Sequence, residues 1–144
     1  MKSREFTWET RDGLEVFAKD WPVEDPKAVV ALVHGLGDHI QRYHNLAAYF
    51  NERGIAVLGF DQRGHGKTAG QRGFTPSPDL LLDEMSYLLS EAFLRYPLRP
   101  VFLYGHSMGG NLVLNYALRR SANVQGVIAS APWIRLAFQP PAWR

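Results

Sequence analysis

The chain has 144 residues, the size of one domain by the usual prior of roughly 100 to 200 residues. With 46% hydrophobic and 21% charged residues it is not a disordered or low-complexity polypeptide. Cysteine is absent, which excludes disulfides, thiolate metal sites and a cysteine nucleophile, and a formal charge of +2 is too mild to imply a nucleic-acid partner.

Residues Phe6 to Thr10 and Leu14 to Trp21 alternate around Asp12-Gly13, a pattern that predicts an antiparallel hairpin closed by a tight turn. Beyond the loop Pro22 to Lys27, the run Ala28 to Val33 is continuously apolar and mostly β-branched or small, as in a strand covered on both faces. The same texture returns at Ile55 to Phe60, Val101 to Tyr104 and Gly126 to Ala129. Between these runs the spacing becomes helical. Tyr43, Leu46, Ala47 and Phe50 recur at i, i+3, i+4 and i+7, with Gly54 placed for a left-handed cap. Leu81, Met85, Leu88 and Ala92 form a second stripe, with Asp79 as N-cap and Pro97 as stop. A third helix is expected from Ser107 or Met108 to about Arg120. Strands alternating with helices imply an α/β fold: a mostly parallel sheet with an N-terminal antiparallel hairpin and helices on both faces.

The sharpest chemical signal is Gly105-His106-Ser107-Met108-Gly109, placed after the strand Val101 to Tyr104 and before a helix. A serine on such a strand-to-helix turn exposes its hydroxyl above the sheet, and the flanking glycines are needed because a side chain there collides with the neighbouring strand or helix. The bland alternative is that Ser107 only caps a helix. A second signal follows the strand Ala28 to Val33, at His34-Gly35-Leu36-Gly37-Asp38-His39. Acyl transfer needs two N–H donors for its oxyanion, one from the residue after the nucleophile and one from the loop after the third strand; Met108 and Leu36 are the candidates. Gly35 and Gly37 let that loop turn, and His34 at the strand end is expected to brace it rather than act as a base.

Other readings fail on spacing. Gly35-x-Gly37, with Asp61 ending the next strand, resembles a dinucleotide fingerprint whose third glycine position is Ile40. Gly64-His65-Gly66-Lys67-Thr68 ends like a phosphate-binding loop, but Asp61 stands where its first glycine is required. Five-residue spacing does not set His34, His39 and His44 on one helical face, so no metal site is expected.

Taken together, His34 to His39 with Arg42-Tyr43, Phe60 to Gly66 followed by Gly70-Gln71-Arg72-Gly73, and Gly105 to Gly110 resemble the monoacylglycerol lipase and lysophospholipase branch of the α/β-hydrolases. The resemblance runs in order from about Phe6 to Pro132. It implies the α/β-hydrolase fold and an esterase for lipid-like acyl esters, with Ser107 as nucleophile and Leu36 and Met108 as oxyanion donors. The loop and elbow around them are His34, Gly35, Gly37, Gly105, His106 and Gly109. The stretch Asp61 to Gly73 carries no catalytic role in this reading, and the serine mechanism needs no cofactor.

The departure from the family lies after Ser107. In this fold an acid and then a histidine follow the serine, yet no Asp, Glu or His occurs from Met108 to Arg144. The chain is therefore expected to be C-terminally incomplete: residues 1–132 as the N-terminal part of the hydrolase core, residues 133–144 as the start of a cap or linker, and the triad acid and base absent. Alone it is expected to be inactive. Two alternatives stand beside this reading, a non-catalytic binding module that retains the scaffold and a half-enzyme completed by a second chain. The expected partners are a small-molecule acyl ester and, through an exposed sheet edge, a second copy or a missing C-terminal part; nucleic acid is not expected. No stretch reaches the roughly 18 apolar residues of a membrane span, and no signal-peptide run opens the chain, so a cytoplasmic or membrane-peripheral location is expected.

Overall fold

The computed structural model describes residues 1–120 and 123–135. Its strands are β1 (Arg4–Glu9), β2 (Glu15–Trp21), β3 (Ala28–Val33), β4 (Ile55–Phe60), β5 (Val101–His106) and β6 (Gly126–Ser130). The helices are α1 (His44–Asn51), preceded by a 3-10 turn over Ile40–Tyr43, then α2 (Pro78–Arg95) and α3 (Met108–Arg119). One sheet takes all six strands in the order β1-β2-β4-β3-β5-β6. The hairpin β1–β2 and its junction with β4 are antiparallel, and β4, β3, β5 and β6 are parallel. The mostly parallel α/β sheet expected from the sequence is what forms.

Because side chains alternate across a strand, β3 feeds two cores at once. Val29, Ala31 and Val33 join Leu82, Met85, Leu88 and Val113 of α2 and α3 on one face. Val30 and Leu32 join Trp21, Ile40 and Ala47 under α1 on the other. Each fully buried aliphatic side chain of this kind contributes roughly 1.5–3 kcal/mol, which is why β3 carries no polar residue until His34.

Two local expectations are corrected. Asp79 is not the N-cap of α2. Ser77 is, with its hydroxyl accepting the Asp79 amide at 3.2 Å and Pro78 opening the helix; proline suits that first position, where no intrahelical N–H is needed. The β1–β2 connection is longer than a two-residue turn. Gly13 alone is left-handed (φ 79°), Gly13 N–H donates to the Thr10 carbonyl, and Thr10 N–H donates to Leu14. Asp12 is not in the left-handed region, and its carboxylate accepts from Thr10 Oγ1 (2.6 Å) and from both terminal nitrogens of Arg63 (2.9 and 3.1 Å).

Gly54 does close α1 in the left-handed region (φ 74°), and α2 stops before Pro97. The expected cap or linker over 133–144 lies outside the described residues from position 136 onward. Among the described residues β6 pairs only with β5, and Ile128 on it is 42% exposed.

Candidate active site

The loops that follow β3, β4 and β5 meet at the carboxyl edge of the parallel strands, where open α/β sheets place their ligands. Ser107 lies between β5 and α3 with φ 55° and ψ −116°, a backbone position costly for any residue with a side chain. The surrounding contacts hold it there. Ser107 N–H donates to the Ser130 carbonyl (3.0 Å), and its own carbonyl accepts from Asn111 N–H (3.1 Å) and Trp133 N–H (3.0 Å).

The glycines around this turn are required by contact. A Cβ on Gly105 would stand 2.1 Å from the Gly109 carbonyl oxygen, and one on Gly109 would stand 2.2 Å from that of Val33. Backbone cannot yield to such an overlap, so both positions accept only hydrogen. The β3 loop passes directly over the serine: a Cβ on Gly35 would sit 3.2 Å from Ser107 Cβ and 3.3 Å from the His106 carbonyl oxygen. Gly37 turns the loop away at φ 70°. Between these glycines the Leu36 amide has no acceptor among the described residues. The Met108 amide opens α3, where the first N–H groups lack intrahelical partners.

His34 is fully buried. Its Nδ1 lies 2.7 Å from the Gly35 carbonyl oxygen, and its Nε2 accepts the Gln62 amide at 3.0 Å. Burial pushes its pKa down to about 4, so the ring is neutral at pH 7 with both nitrogens engaged. Gln62 completes the clamp by donating Nε2–H to the His34 carbonyl oxygen at 2.6 Å. Nδ1 of His106 lies 3.3 Å from Ser130 Oγ.

The 61–75 loop holds more than the sequence suggested. The buried carboxylate of Asp61 accepts the Ile40 amide (2.7 Å) and the Lys67 amide (2.8 Å), tying the β3 and β4 loops together. Gly66 leaves room for it, since a Cβ there would lie 2.1 Å from Asp61 Oδ2. Arg63 reaches outward to Asp12 and inward to Glu84, 2.5 Å from its Nε. Burial lifts the pKa of Glu84 to about 7 against the pull of Arg63. Asp61, Gln62 and Glu84 carry no spacing signal of their own; only the run Phe60 to Gly66 marks the first two.

Among the described residues no group of three or more His, Asp or Glu is placed to hold a metal ion, and no helix is long and apolar enough to cross a membrane.

Comparison with known proteins gives a consistent result. The family model described as serine aminopeptidase, S33 matches residues 24–144. A monoacylglycerol lipase of Mycolicibacterium smegmatis is 33% identical over 121 residues, which cover 83% of this chain and 43% of the relative. The human monoglyceride lipase is 32% identical over 124 residues, 85% of this chain and 41% of its own. Among solved structures, a soluble variant of the monoglyceride lipase of Saccharomyces cerevisiae in complex with a substrate analogue aligns with a TM-score of 0.81 at 27% identity. That alignment covers 92% of this chain and 45% of the yeast protein. The chain thus spans less than half the length of these relatives and corresponds to their N-terminal part.

Proposed function

Since the chain belongs to the serine aminopeptidase S33 family of α/β-hydrolases, we propose that it carries the nucleophile and the oxyanion-binding half of a serine hydrolase for lipid-like acyl esters, monoacylglycerols or lysophospholipids. The observation that carries this reading is the geometry at Ser107: a strained serine, directly under the Gly35 loop, with two unclaimed amides beside it. In this reading Ser107 Oγ adds to the ester carbonyl carbon, and the Leu36 and Met108 amides receive the oxygen that becomes negative. Each such donor is worth roughly 3 kcal/mol in the transition state. Collapse of the adduct expels the alcohol and leaves an acyl group on Ser107, which water then removes.

His34 serves as a brace. A neutral imidazole that donates to Gly35 and accepts from Gln62 fixes the direction in which the Leu36 amide points, and it has no free nitrogen to take a proton. In this reading the proton of Ser107 passes to a base other than His34. The 144-residue chain on its own is expected to show no Ser107-dependent turnover, because losing the base of a serine triad costs on the order of a million-fold in rate.

The experiment supplies what is missing. Fused to the C-terminal half of a monoglyceride lipase, the chain is expected to hydrolyse monoacylglycerols, and Ser107→Ala is expected to lower kcat by about 10⁴-fold or more. A folded fusion whose Ser107→Ala variant keeps its turnover would refute the assignment.

A further inference from the structure

Hydrogen bonding between β5 and β6 runs on past the last paired residues of both strands. Their parallel register, Gly105↔Ala129 and His106↔Ser130, sets Ser107 opposite Ala131 one step further on. In a parallel ladder a residue's N–H and C=O bond to the residues on either side of its partner, which here are Ser130 and Pro132. The first bond forms, from Ser107 N–H to the Ser130 carbonyl at 3.0 Å. The second cannot, because proline has no N–H. Trp133 N–H donates to the Ser107 carbonyl in its place, also at 3.0 Å, and the extra residue is taken up as a bulge.

We propose that this bulge over 131–133 is a positioning element: through the Ser107 carbonyl it aims the Met108 amide at the oxyanion. The inference rests on the ester-hydrolase reading and adds to it the backbone that holds the second donor in direction.

The link is the peptide group between Ser107 and Met108. It is planar and trans, so its N–H points opposite to its C=O. That C=O is held twice, by Asn111 N–H at 3.1 Å from within α3 and by Trp133 N–H from the chain beyond β6. A carbonyl oxygen has two lone pairs, and both are engaged here by donors on different elements. The peptide plane therefore cannot turn without breaking one of the two bonds. Asn111 alone would tie the amide only to its own helix, whose first turn would be free to shift against the sheet.

The bulge is held under strain. Ala131 stands at φ 43°, directly across the ladder from Ser107 at φ 55°, and the left-handed region disfavours any residue with a side chain. Two such residues side by side persist because the neighbouring contacts over-determine them. Pro132 packs on the start of α3, where a Cβ on Gly110 would stand 2.9 Å from its Cα. The bulge also lies at the site itself, since Trp133, Asn111 and Met108 line one cavity of about 310 Å³.

Deleting the Trp133 N–H in the fusion with a monoglyceride lipase C-terminal half tests this. Indole-3-lactic acid at position 133 turns that amide into an ester, which removes the donor and leaves every side chain in place. The variant is expected to lower kcat by about tenfold or more and to leave KM within about twofold, because a misaimed oxyanion donor weakens the transition state and not the bound ester. Affinity for an alkyl trifluoromethyl ketone, which forms the oxyanion adduct on the serine, is expected to fall by the same factor as kcat. Trp133→Ala keeps the N–H and Trp133→Pro lacks it, so this pair is expected to show the same gap if the ester variant does not fold. In the 144-residue chain, NMR is expected to show a scalar coupling across the hydrogen bond from Trp133 ¹⁵N to the Ser107 carbonyl ¹³C. A folded ester variant with unchanged kcat, a loss carried by KM, equal kcat in Trp133→Ala and Trp133→Pro, or absence of the coupling would overturn the proposal. Ser107-dependent turnover untouched by the ester removes this inference alone; turnover that survives Ser107→Ala removes the hydrolase reading and this inference with it.

Discussion

His34 sets a sign on the pH dependence of stability. Its folded pKa of about 4 lies below the ordinary value of 6.5, so between these limits the unfolded chain binds the extra proton. Its contribution is complete above pH 6.5 and declines as pH falls toward 4, at about 1.4 kcal/mol per pH unit. Glu84 acts oppositely, since a folded pKa near 7 against 4.5 adds stability as pH falls through that range. A difference measurement separates them. Urea unfolding of wild type and His34→Gln at pH 7, 6 and 5 is expected to show the wild-type advantage shrinking over the series; parallel curves would contradict a buried neutral His34. The position of His34 at a strand end was legible in the sequence; its hydrogen bonds to Gly35 and Gln62 are what the structure adds. Gln62, its partner, was not legible, because a contact across 28 residues leaves no periodicity to read.

At the scale of elements, apolar stripes located α1 and α2, continuous apolar runs located β3 to β6, and alternation around Asp12-Gly13 located β1 and β2, since burial on a face is what those patterns encode. They did not locate ends. The stripe of α2 begins at Leu81, which pointed to Asp79 as the cap, whereas Ser77 and Pro78 open the helix. The end was written in a hydroxyl followed by proline and not in hydrophobicity. Ser77→Ala is accordingly expected to cost about 1 kcal/mol, measured by chemical denaturation. Asp79→Ala removes an exposed pair with Arg119 and a carboxylate in the first turn of α2 and is expected to cost less than Ser77→Ala; the reverse ranking would restore Asp79 as the cap. The 61–75 loop was the least legible element. Its course is held by Asp61 bonding to one amide within the loop and one 21 residues away, and side-chain-to-backbone bonds of that kind have no sequence signature beyond the residues themselves.

At the scale of the whole molecule, the sheet is covered unevenly. α2 and α3 pack on one face and α1 on the other over β3 and β4, while the outer edge of β6 has no strand partner among the described residues and Ile128 is exposed on it. An unpaired apolar edge is a template for another chain. The 144-residue polypeptide is therefore expected to self-associate at tens of micromolar in light scattering, and Ile128→Lys is expected to reduce that; a monomer that melts cooperatively would contradict it. The central claim is that Ser107 becomes the acylated residue once a base is supplied. The most direct measurement is peptide mass spectrometry of the chain fused to a monoglyceride lipase C-terminal half after treatment with an alkyl fluorophosphonate. The account predicts a phosphonate adduct on Ser107 in the fusion and none in the 144-residue chain alone, whereas a folded fusion that stays unlabelled, or carries the adduct elsewhere in this segment, would contradict it.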